Sequence, residues 1–145
     1  MKRLLIAVVV ALSCAACKTA PTKEQVEASK AAAAANDAKA QIAKQAAANY
    51  AADATLVPFE KMDAKLNPVG EAQLDLLLPK LKTAKSVLIR GHCYRRDIGN
   101  AKAASQTRAA NVREYLVNAG VPSSRITLRY DTERPVHGVR LIVSD

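Results

Sequence analysis

The residues able to do chemistry cluster between Ser86 and Leu116, in SVLIRGHCYRRDIGNAKAASQTRAANVREYL. An apolar run, a turn holding Gly91, His92, Cys93, Tyr94 and Asp97, and a segment carrying Ser105 and Arg108 follow one another. Strand, polar turn and helix in that order place reactive side chains at a strand-to-helix connection, where binding sites commonly lie. His92 beside Cys93 raises nucleophilic or metal chemistry. Adjacent residues of an extended segment point to opposite faces, so the two do not readily form a dyad. A zinc site would need two more ligands, and His137 is the one plausible donor left. No catalytic residue, metal or cofactor is expected.

Several elements must position this cluster. Ser86 to Arg90 reads as a strand, with Val87 and Ile89 facing one way and Leu88 the other. Asn100 to Ala119 reads as a helix stopped at Gly120, which suits a left-handed cap. Its stripe Ser105, Ala109, Val112, Leu116 and Ala119 should face a sheet, and Arg108 beside it looks back over the 91–99 turn. Upstream, Leu56 to Phe59 gives a short strand, and Pro58 favours a sheet edge. Asn67 then Pro68 begins a helix, as cap and first helical residue. Leu74, Leu77, Leu78 and Leu81 form its buried stripe. Pro79 within that helix predicts a kink or an early end. Downstream come a strand at Ile126 to Tyr130, a loop with Pro135, and a last strand at Val139 to Val143. Strand, helix, strand, helix, strand, strand is most economically a sheet with helices on one face.

At 145 residues, with aromatics at only 3% and much of the apolar content alanine, the chain has room for one small core. A formal net charge of +9 suggests an anionic or carboxylate-bearing partner. Nucleic acid is not expected, because the arginine-bearing region lacks the interleaved aromatics of a base-stacking surface.

The first residues concern the compartment. Lys2 and Arg3 precede an apolar run from Leu4 to Leu12, then Ser13, Cys14, Ala15, Ala16 and Cys17. The run is too short to span a bilayer and has the layout of a secretory signal. Small residues leading into cysteine resemble the lipobox of bacterial lipoproteins, whose cysteine becomes the acylated first residue. Cys17, preceded by two alanines, fits better than Cys14, and an ordinary cleaved signal is the other reading. Cleavage before Cys17 would remove Lys2 and Arg3 and lower the charge from +9 to +7. Lys18, where an aspartate would signal inner-membrane retention, implies the outer membrane. Cys93 is then left without a disulfide partner.

Lys18 to Lys23, with Pro21, suits a flexible link. Glu24 to Asp53 is alanine-rich without Gly or Pro, so a helix is the default, capped by Thr22 with Gln25. A heptad seam of Val26, Ser29, Ala33, Asn36, Ala40, Ala43, Ala47 and Tyr50 is weakly driven, leaving a spacer, an alanine coiled coil or a frayed linker.

The stretches VPFEKMDAKLNPVGEAQLDLLLPKLK, VLIRGHCYRRDIG and SQTRAANVREYLVNAGVPSSRI resemble, in order and spacing, the OmpA-like, peptidoglycan-associated domain. The resemblance covers about Leu56 to Val143. It implies an α+β fold, a βαβαββ sandwich of a small mixed sheet with helices on one face, preceded here by a long Ala-rich helix. The implied partition is 1–16 lipoprotein signal peptide, 17–23 lipidated linker, 24–54 helical spacer and 55–145 OmpA-like domain. The implied partner is peptidoglycan through the diaminopimelate of its stem peptide, and the membrane is reached through the lipid anchor. In the family, an aspartate two residues after the histidine of G-H-T-D pairs with the ligand ammonium. The helix arginine takes the carboxylate as a charge-assisted fork. Gly91, His92, Ser105, Arg108 and Ala109 match that pattern, whereas Cys93 replaces threonine and Tyr94 replaces the aspartate. Asp97 substitutes for it if the turn swings inward. The implied peptidoglycan-binding residues are Arg108, Asp97, Tyr94, His92 and Ser105. The family's N-R-R-V insertion before the last strand is missing, and Arg140 reads as a surface residue.

The resemblance thus implies a non-enzymatic, outer-membrane lipoprotein facing the periplasm that binds the cell wall. The alternative is an OmpA-like domain that has lost the ligand and docks in an envelope-spanning secretion or conjugation assembly, with proteins of that complex as partners.

Overall fold

The computed structural model describes residues 23–144. The segment expected to be a signal peptide, Cys14, Cys17, the expected linker before Lys23 and the expected cap at Thr22 lie outside them. Helix α1 spans Lys23–Ala52, as its alanine content dictates. From Ala35 onward it belongs to one compact unit, Ala35–Asp145. Within that unit Ala46 is buried and Tyr50 lies against the hydrophobic core, so the last turns of α1 are part of the folded body. The docked face runs through Ile42, Ala46, Asn49 and Tyr50, whereas Ala40, Ala43 and Ala47 of the heptad seam are exposed. Asp53 ends the helix, its Oδ1 accepting from the backbone N–H and hydroxyl of Thr55 at 3.0 and 2.7 Å.

Strand β1 is Leu56–Pro58, α2 Pro68–Thr83, β2 Ser86–His92, α3 Ala101–Asn118, β3 Ile126–Asp131 and β4 Gly138–Ser144. The sheet order is β1-β4-β2-β3, with β2 and β3 parallel and both β4 pairings antiparallel. β1 is an edge strand, so the missing N–H of Pro58 interrupts no interior ladder. Val57, Val87, Ile89, Val139 and Leu141 all point to one face of the sheet. There they meet Leu74, Leu77 and Leu81 of α2 and Ala109, Val112 and Leu116 of α3 in a single core. The opposite face carries half-buried Leu88 and exposed Ile142. The fold is therefore the expected α+β arrangement with helices on one face.

Helix α2 starts as expected: Asn67 Oδ1 accepts from the Gly70 N–H at 2.7 Å and Pro68 is the first helical residue. The early end at Pro79 does not occur, for the helix runs four residues further. Pro79 and Asp75, whose carbonyl loses its helical donor, both lie on the exposed face of the helix.

Two glycines hold α3 in place. At Gly91 a Cβ would lie 1.9 Å from the Ser105 carbonyl oxygen, so only glycine lets β2 and α3 approach this closely. Gly120 has φ +95°, and it closes the helix with Gly120 N–H to Val117 O and Val121 N–H to Leu116 O, the two bonds of a Schellman end.

Candidate functional site

Strand β2 ends at His92 beside the early turns of α3, and the 59–67 and 132–137 segments close over the same pole. Arg108 occupies this junction and is only 1% exposed. Its position follows from the helix stripe: it is adjacent in sequence to buried Ala109 and one turn beyond Ser105, on the side of α3 facing the end of β2.

All five guanidinium N–H groups are used. Nε donates to Asp63 O at 2.9 Å, Nη2 to Glu60 O and Lys61 O at 2.8 and 2.9 Å, and Nη1 to His92 O at 3.0 Å. The remaining Nη1 proton points at His137 Nδ1, 3.5 Å away. Phe59 lies under the cation, 5.6 Å from ring centroid to Cζ. Arg108 is thus a clamp joining the 60–63 segment, the end of β2 and the approach to β4. Asn111, three residues on, extends the clamp by donating to Ala64 O at 2.7 Å.

The network continues outward. A guanidinium only donates, so His137 Nδ1 is the acceptor and its proton is assigned to Nε2, which donates to Asp97 Oδ2 at 2.9 Å. The other Asp97 oxygen lies 3.4 Å from Lys61 Nζ. The bond from His137, and then Lys61, holds the Asp97 carboxyl below its ordinary range. Asp97 and Lys61 remain accessible, their side chains 35% and 53% exposed. Buried guanidinium, histidine, carboxylate and exposed ammonium therefore form one chain from interior to surface.

The sequence-predicted residues divide. Arg108 and Asp97 come together through His137, since the 94–97 turn, closed by Asp97 N–H to Tyr94 O at 3.1 Å, brings the carboxylate inward. Tyr94 is half-buried and supplies that turn. His92 contributes its carbonyl, but its side chain lies on the opposite sheet face from Gly91. The ring is 2% exposed with both nitrogens unbonded and Nδ1 3.6 Å from Asp131 Oδ2; burial pushes its pKa down. The Ser105 hydroxyl donates back into its own helix, to Lys102 O at 2.8 Å. Cys93 is buried. Among the described residues no three His, Cys, Asp or Glu side chains converge, and no helix is long and apolar enough to cross a membrane.

Two members of the network were not expected from sequence: Lys61 and, in this role, His137. Neither has a local signal, because each acts through a contact with a residue over thirty positions away.

Comparison with solved structures places this arrangement among known folds. The C-terminal domain of MotB from Helicobacter pylori is similar with a TM-score of 0.55 at 12% identity, over 62% of this chain and 84% of that one. The OmpA-like domain of FopA1 from Francisella tularensis subsp. tularensis SCHU S4 is similar at 0.46 and 19% identity, over 62% and 74%. No curated protein matches the sequence closely enough to count as a relative. Residues 58–138 match the family model described as OmpA family, a span that takes in the whole Arg108 network from Glu60 to His137. With more than half of its length inside that match, the chain belongs to the OmpA family.

Proposed function

We propose that the chain is a non-enzymatic envelope lipoprotein whose OmpA-like domain holds peptidoglycan stem peptide without making or breaking a bond. Domains of this family are typically peptidoglycan-associated and occur in envelope proteins facing the periplasm. The observation that carries the reading is the exposed Asp97–Lys61 pair above Arg108. Diaminopimelate presents an ammonium and a carboxylate close together, the mirror of that pair. Its ammonium takes Asp97 and its carboxylate takes Lys61, replacing an internal contact that is weak in water. Arg108 has no N–H to spare, so its part is to fix the segment that carries Lys61. A ligand carboxylate reaches the guanidinium itself only by displacing the 60–63 carbonyls.

Co-sedimentation with diaminopimelate-containing sacculi tests this. Asp97→Asn and Lys61→Ala should each reduce retention, and retention equal to that of the unmodified chain for both removes the site. The anchor is proposed to be lipid on Cys17, holding the chain to the outer membrane from its periplasmic side. Cys17→Ser should then abolish incorporation of labelled palmitate, whereas label lost only with Cys14→Ser moves the anchor there.

A second reading has its own observation: Arg108 is saturated and Tyr94 replaces the family's aspartate. It makes the domain a docking module of an envelope-spanning assembly. Sacculi would then fail to retain even the unmodified chain, and membrane proteins would co-purify with it.

A further inference from the structure

Strand β3 is the end strand of the sheet, paired on one side only, to β2. Among the described residues one row of its backbone N–H and C=O groups therefore has no strand partner. Its side chains alternate between two grooves. On the helix side, Leu128 and Tyr130 are 40% and 47% exposed. With Gln106, Ala109 and Ala110 of α3, and Arg129 at its edge, they line a mostly apolar groove of ≈ 400 Å³. On the open face, Arg129 and its β2 partner Arg90 line a second groove of ≈ 610 Å³.

Arg90 is flanked on its other side by Arg140 of β4, so three arginines stand in one row across three strands. Like charges directly opposite one another on a sheet are unfavourable. Arg140 is relieved by Asp53, 3.1 Å away. Among the described residues Arg90 and Arg129 have no carboxylate partner. The acids at the end of that groove are engaged elsewhere, Asp131 with Arg134 and Glu133 with Arg95, at 3.4 and 3.1 Å.

We propose that the free edge of β3 docks an extended segment of a partner polypeptide in which apolar and acidic residues alternate. A strand added to this edge has side chains of period two. One set enters the apolar groove beside Leu128 and Tyr130; the other meets Arg129 and Arg90. Backbone bonds to β3 supply affinity, and the two grooves select the sequence. A second copy of β3 fits less well, because the one acid it brings, Asp131, is already engaged with Arg134. The surface shares no residue with the Arg108 network, so it stands or falls independently of wall binding.

The test titrates the chain with a seven-residue synthetic peptide alternating valine and glutamate, and follows amide hydrogen exchange. The expected result is saturable protection within 126–131, with Arg129→Glu weakening binding about tenfold or more and a valine–lysine peptide giving none. Equal binding of both peptides, protection elsewhere in the sheet, or no protection overturns the proposal. Protection of β3 that depends on protein concentration without peptide overturns it in favour of a second copy.

Discussion

Replacing Arg108 by methionine separates a clamp from a ligand-binding residue. Methionine keeps an unbranched apolar stem of similar length but removes the charge and all five donors. In the folded chain these hold four backbone carbonyls and His137 Nδ1. Hydrogen bonds from a charged donor contribute about 1.5–3 kcal/mol each, against which stands a desolvation penalty of several kcal/mol for the buried cation. The carbonyls of Glu60, Lys61 and Asp63 belong to a surface segment and regain water when the clamp is lost. The bond to His92 O is fully buried, and losing it would cost about 1–3 kcal/mol. The net expectation is a loss of about 3 kcal/mol, a large share of the 5–15 kcal/mol typical of a small domain. With a urea slope of roughly 1.5–2 kcal/mol/M, the unfolding midpoint should fall by about 1.5–2 M. Hydrogen exchange of the 60–63 amides should also quicken. Arg108→Lys should recover less than half, since an ammonium has three donors and no planar fork. A methionine variant with an unchanged or raised midpoint would refute the clamp, because a residue kept only for a ligand commonly costs stability in its absence.

Two further outcomes follow from the same geometry. Gly91→Ala should lower stability by about 3 kcal/mol or more in urea unfolding, since its Cβ meets the Ser105 carbonyl at 1.9 Å and α3 must lift from β2. Stability should fall as pH drops below about 6.5, because burial sets the folded pKa of His92 below its unfolded value and the unfolded chain therefore binds more protons. His92→Gln should flatten that part of the profile, and a variant that keeps the full slope assigns it to other groups.

What could be read from the sequence was whatever acts over short distances. The Asn67 cap, the leucine stripe of α2, the glycine stop at Gly120 and the alternation of β2 are each set by residues within a turn or two, and each was legible. The early end expected at Pro79 does not occur, because that effect depends on which face the proline occupies, and Pro79 and Asp75 both lie on the exposed face. The docked face of α1 was hidden for a related reason. A heptad count selected Ala40, Ala43, Ala47 and Tyr50, but the surface that receives the helix lies far along the chain and takes Ile42 and Ala46 together with Tyr50 alone of those four. At the site, the resemblance placed Arg108 and Asp97 near one another, and the structure supplies His137 between them. No sequence signal announces that three of the four carbonyls bound by Arg108 lie more than forty residues upstream, since backbone acceptors carry no residue identity.

The net charge of +9 says little until each arginine is assigned to what it touches. Arg95, Arg134 and Arg140 face carboxylates, and such exposed or half-exposed pairs add little stability. Arg108 and Arg125 are held by backbone carbonyls, the latter through Lys82 O and Ala84 O at 3.2 Å, and so serve the fold. Arg96 and Arg113 are exposed and solvated. Arg90 and Arg129 differ from all of these: adjacent on paired strands, with Arg90 half-buried, they repel one another with no acid between them. An anion approaching Arg108 must first break bonds already made, whereas one approaching Arg90 and Arg129 relieves a repulsion already present. On that comparison an acidic partner gains more at the β3 edge than at the buried guanidinium, and the zwitterion proposed for the pole above Arg108 would exchange with Asp97 and Lys61 instead.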